Sequence, residues 1–196
     1  VGSEMCIRDR TLTISLVLAI GLVLYQALAG GMRIWERNQR FRIEEDTALF
    51  LERFSSDISN AVLYALLPFK GSGEKFVFPA IVYTPVDARI AETPDAYTEQ
   101  IGLVEYSFDK MRYALYRRQA NYGQAVRGKF GPLRSLAAPV RAVTFSYYRL
   151  EEGVIRAVAE IQEGEIPAAV EVKIEFVEDT GQIRQITQIF SVPAGV

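Results

Sequence analysis

The residue types most used for covalent and metal chemistry are almost missing from this chain, which has no histidine and a single cysteine, Cys6. Zinc sites built on Cys and His, and nucleophiles activated by a histidine base, therefore have nothing to work with. Carboxylate chemistry stays open. Glu44-Glu45-Asp46 puts three acids on one helical turn, where they could hold a cation but are expected to form a solvated face. Glu151-Glu152-Gly153 lacks the oxygen-rich spacing of a calcium loop and reads as a turn between strands. Gly71-Ser72-Gly73 is too short for a phosphate cradle and does not open a helix. Tyr106, Tyr113, Tyr116, Tyr122, Tyr147 and Tyr148 could stack on sugars or bases, yet their strand-like surroundings favour a core role. Tyr148 must face away from Tyr147 in a strand, which makes it the better partner contact. No catalytic, cofactor or metal residue is assigned, so a non-enzymatic role is expected. A net charge of −2 with no concentrated basic face gives no basis for nucleic-acid binding.

The elements around these residues begin with Thr11–Met32, twenty-two residues without a charge. At about 1.5 Å per residue this is enough to cross a hydrocarbon core of about 30 Å. Leu12, Leu16, Leu18, Leu24 and Leu28 would meet lipid, while Gly21, Gly30 and Gly31 would let a neighbouring helix approach closely. The preceding VGSEMCIRDR resembles translated sequencing-adapter sequence, so residues 1–10 are set aside as foreign and the true start is expected to be lost. Cys6 lies in that segment, leaving no disulfide to infer.

Beyond the span, Phe50, Leu51, Phe54, Ile58 and Val62 recur at helical steps, as do Thr47, Ala61 and Ala65. They predict an amphipathic continuation over 33–67, packed on the domain and stopped by Pro68 and Gly71-Ser72-Gly73. The whole helix, from Thr11 to about Leu66, would measure roughly 80 Å. Residues 68–196 form the β-rich remainder. Lys75–Tyr83 is a strand in which Pro79 demands an edge or a bulge. Val86–Gln100 is a turn-rich surface loop, and Leu103–Phe108 with Met111–Arg118 is a hairpin around Asp109-Lys110. Asn121–Pro139 is mostly irregular. Strands follow around Val143–Tyr147 and at Ile155–Glu160. Ala169–Val177 alternates cleanly, turns at Glu178–Gly181 and returns as Ile183–Ser191. The fold class is α+β, a long amino-terminal helix on antiparallel sheet.

Several segments resemble the minor pseudopilin J family of type II secretion, within the type IV pilin-like superfamily. They are Phe50–Ala61, with an apolar pair ahead of an Asp-apolar-polar-polar turn, and Leu103–Phe108 followed by Leu115-Tyr116-Arg117-Arg118. Ile166–Val172, leading through a glycine turn to Ile183-Arg184-Gln185-Ile186, is the third. The family's basic leader, its Gly-Phe-Thr-Leu type cleavage junction and its early glutamate are not visible ahead of the span, so cleavage and methylation fall on no residue present. The resemblance implies a single-pass inner-membrane protein with a periplasmic domain and no cofactor. Its partners would be the minor pseudopilins of I, K and H types and the major pseudopilin, in a tip complex that initiates or caps the export fibre. Arg33, Arg37, Arg40 and Arg42, after the span, would by themselves put the domain in the cytoplasm; the family's leader would reverse that. Two alternatives stand: a minor pilin of a type IV pilus or DNA-uptake fibre, and an unrelated membrane-anchored binding domain, which a ligand-sized pocket would favour.

Overall fold

Two compact units divide the chain, Val1–Arg42 and Ile43–Val196. The computed structural model describes residues 2–85, 97–137, 139–177 and 182–193. Helix α1 (Gly2–Ser59) forms the described part of the first unit and opens the second. Gly2–Arg10, set aside above, are helical as well. In the first unit Thr13–Ile34 is long and apolar enough to cross a membrane, and none of it is buried.

In the second unit the class is α+β. Strands β1 (Lys70–Ser72), β2 (Lys75–Pro85), β3 (Tyr97–Asp109), β4 (Ala114–Asn121) and β5 (Arg134–Ala137) form an antiparallel sheet in sequence order. A four-residue helix α2 (Tyr122–Ala125) sits between β4 and β5. Strands β6 (Ala142–Glu151), β7 (Val154–Val158), β8 (Ala169–Val177) and β9 (Ile183–Ser191) form a second sheet, in the order β7-β6-β8-β9.

The core lies where the end of α1 meets both sheets. The Phe54 ring is fully buried and touches Phe76 and Phe78 of β2, Tyr106 of β3, Phe145 of β6 and Phe190 of β9. Burying one such side chain stabilises by about 1.5–3 kcal/mol. Alternation supplies the partners, since Val104, Tyr106 and Phe108 share one face of β3, and Val143, Phe145 and Tyr147 one face of β6. A smaller cluster of Leu67, Ala120 and Ala125 covers the opposite face of the first sheet with Tyr64, Leu103 and Phe130. A seam at the β1–β2 turn joins the sheets: Gly71 bridges Ile161, Phe145 N donates to Gly73 O at 2.8 Å, and Tyr147 Oη donates to Ser72 O at 2.8 Å. A Cβ on Gly71 would lie 2.4 Å from the Tyr147 ring, so this approach requires glycine.

Four sequence expectations need correction. The amphipathic helix ends at Ser59 and does not reach Leu66, leaving Val62 and Ala65 outside it. Competition for backbone bonds explains the stop. Val62 N donates to Pro79 O and Ile81 N to Asn60 O, both at 3.0 Å, so β2 captures the chain as it leaves the helix. That pairing halts after a single bridge, Ala61 to Ala80, because Pro79 has no N–H to return and Asn60 N is bonded to Ser56 O. Secondly, Tyr97–Gln100 are not loop: the β2–β3 ladder runs from Lys75 with Ser107 out to Pro85 with Tyr97, and long-range pairing outweighs local turn composition. The rest of the expected loop, 86–96, lies outside the described residues, as does the turn at 178–181. Thirdly, Met111–Tyr113 belong to the turn rather than the strand. The Asp109 carboxylate accepts from the backbone N–H of Met111 and Arg112, and Tyr113 has φ +51°. Finally, the segment expected to be irregular holds α2 and β5. Asn121 and Gln124 close a reciprocal capping box on α2.

Candidate functional site

The residues predicted to serve assembly are uncovered. Leu16, Leu18, Leu24 and Leu28 stand exposed along α1, and a Cβ at Gly21, Gly30 or Gly31 would meet nothing within 4 Å. Among the described residues, nothing comes close to those glycines. The Leu12 side chain lies outside the described residues. Of the face predicted to pack, Phe50, Phe54 and Ile58 are buried and Leu51 is partly buried against the same core. Val62 is half-buried, beyond the helix end.

A buried ionic cluster holds that face in place. Arg117 of β4 donates through Nε to Asp57 Oδ2 at 2.6 Å and through Nη2 to Asp57 Oδ1 at 3.1 Å. Tyr106 Oη donates to Asp57 Oδ2 at 2.5 Å, and Arg53 Nε stands 3.6 Å from Oδ1. Burial works against the Arg117 cation, but the hydrogen bond and charge of Asp57 outweigh it and hold its pKa above the ordinary value. Burial first, then the Asp57 charge, pushes the Tyr106 hydroxyl well up, so it stays neutral and a donor. Through these bonds the cluster locks the end of α1 to the first sheet.

The other face of the first sheet has a second ionic group. Glu105, 3% exposed, accepts from Arg118 Nε at 2.7 Å and Nη2 at 3.0 Å, and Lys75 Nζ approaches it to 2.9 Å. The Arg118 guanidinium lies 4.4 Å from the Phe130 ring centroid. Beside it opens a cleft of about 610 Å³. Val77, Leu103, Glu105, Phe130 and the Ile161–Glu163 segment are among the residues that line it. Lys70, Glu160 and Glu163 bring charge to it.

The remaining chemical candidates are structural or exposed. Glu45 is exposed, and the Glu44 side chain lies outside the described residues. Glu151 pairs with Arg149, and Glu152 and Gly153 form the β6–β7 turn with φ +50° and +81°. Tyr106 and Tyr147 are core residues, whereas Tyr113 is exposed. Tyr148 is half-buried on the opposite face from Tyr147 and donates to Glu171 at 2.7 Å. Sequence reasoning missed the buried ion pair Asp57–Arg117 and the part-buried pair Glu105–Arg118. A signal existed for both. Asp57 falls three residues after Phe54 on the apolar face of α1, and Glu105 sits between Val104 and Tyr106 in a segment otherwise set for burial. Comparison with protein-family models and with curated proteins returns no match.

Proposed function

We propose that the chain is a non-enzymatic minor pseudopilin of a type II secretion system, anchored once in the inner membrane with its β-rich unit in the periplasm. The observation that carries this reading is Thr13–Ile34, an apolar stretch with no cover of its own ahead of an α+β unit. Uncovered surface of that kind needs lipid or other apolar helices. Both are what a pseudopilin helix meets, first in the bilayer and then in the fibre. The order of the segments resembling the J family supports the same role, with I-, K- and H-type minor pseudopilins and the major pseudopilin as partners. Deleting Thr13–Ile34 tests it. The truncated chain is expected to leave the membrane fraction, fail to cross-link to the other pseudopilins and abolish export; full export by the truncation overturns the proposal.

The cleft at Glu105 favours a second reading, a membrane-anchored domain that binds a small ligand there. Leu103→Trp, which fills the cleft, separates the two. If the chain is a fibre subunit, export needs the chain but is unchanged by this substitution; if cleft binding is its function, export is indifferent to loss of the whole chain and the substitution abolishes small-ligand binding.

A further inference from the structure

Among the described residues, the free edges of the two sheets are not alike. Strand β1 spans three residues and already bridges Ile161 through Gly71. Strand β5 spans four and carries Arg134; β7 spans five with Arg156 at its centre. Short and charged edges are the usual guard against pairing with another chain. Strand β9 is longer and more thinly charged. Its nine residues read Ile-Arg-Gln-Ile-Thr-Gln-Ile-Phe-Ser, without proline and with Arg184 as the one charge, and Ile183 and Ile189 are 53% and 56% exposed.

Backbone geometry shows which groups β9 offers. Val192 N donates to Ala168 O in the β8–β9 register, so the even-numbered residues of β9 exchange bonds with β8. In an antiparallel ladder the odd-numbered residues then turn their N–H and C=O groups to the open edge. We infer that this edge pairs antiparallel with β9 of a second copy of the chain, about a two-fold axis through Ile186. In that register Ile183 faces Ile189 of the partner, Gln185 faces Thr187, Arg184 faces Gln188 and Ile186 faces itself. Odd residues bond to odd residues, as the open edge requires. Apolar side chains meet apolar ones, polar meet polar, and no like charges are opposed. Moving the axis to Thr187 keeps the bonds but sets Ile183 against Ser191 and Ile189 against Gln185. The same operation on β7 would set Arg156 against Arg156. The sequence of β9 is thus self-complementary in one register, the requirement for an isologous contact. This pairing stands apart from the membrane reading and survives its failure.

Disulfide trapping in the full-length chain tests it, with Cys6→Ser as the background so that each reporter thiol is alone. In the proposed ladder 184 with 188 and 186 with 186 are non-hydrogen-bonded pairs, whose side chains approach closely enough to bridge. Ile186→Cys is expected to give a covalent dimer several-fold above Gln185→Cys, Thr187→Cys and the β7 control Val154→Cys. A mixture of Arg184→Cys and Gln188→Cys chains, both altered at exposed positions, is expected to link far more than either alone. Adding Ile189→Lys should remove both signals. Equal yields at all positions, a maximum at another residue, or no dimer from the exposed pair overturns the inference.

Discussion

Helix α1 presents apolar residues at both ends of its length, and the two stretches meet opposite fates. In Thr13–Ile34 the leucines stand in the open, Leu18 being 68% exposed, whereas Phe50, Phe54 and Ile58 are at most 1% exposed. Hydrophobicity alone therefore does not distinguish a segment that holds a fold together from one that awaits another phase. The arrangement does. In the second unit most of the helix's apolar residues form a stripe, interrupted by Asp57, and two sheets supply the cover; Thr13–Ile34 is apolar on every side and has no single stripe to bury.

Substitutions can break that contrast in order of size. Phe54→Ala, which empties the meeting point of four strands, should cost about 3–5 kcal/mol in chemical denaturation of the second unit, whereas Leu18→Ala should leave that transition where it is. Asp57→Ala strands the Arg117 cation in the core and should cost a similar 3–5 kcal/mol or so; Asp57→Ala with Arg117→Met should recover much of it, because the penalty belongs to the unpaired charge. Leu18→Lys should reverse the pattern, adding about 2.5–3.5 kcal/mol to membrane insertion with no change in the denaturation midpoint.

Alkali offers a finer probe. Tyr106 and Tyr147 both have raised pKa values, through burial first and then through Asp57 and Glu160 respectively. A raised folded-state pKa means that the stabilisation is complete below the unfolded tyrosine value, near 10, and is lost as pH climbs above it. Stability should fall by about 1.4 kcal/mol per pH unit for each of these two groups above that point, and Tyr147→Phe should make the fall shallower by one such share. The smallest effect is expected at Tyr148, half-buried on the outer face: Tyr148→Phe should shift the midpoint by no more than about 1 kcal/mol.

Local signals carried much of the second unit. The alternation of Val170, Val172, Ile174 and Phe176 located β8 to the residue, and Ile183–Ser191 located β9. Errors arose where a distant strand decided the outcome. Asn60–Val62 continue a helical period but are taken by β2, and Tyr97–Gln100 look like loop until Pro85 and Thr84 pair with them. The Asp57–Arg117 pair lay hidden for the same reason, since sixty residues separate its members and neither carries a mark of the other. Only a charge set on an apolar stripe hinted that a partner was needed.

Pro79 has a further consequence for the solitary bridge at Ala61. Its ring blunts the flank of β2 at the place where an incoming polypeptide would otherwise find a continuous docking rail. The missing N–H thus holds pairing on that flank of β2 to the one bridge at Ala61 and lets the chain leave the helix without adding a full strand there.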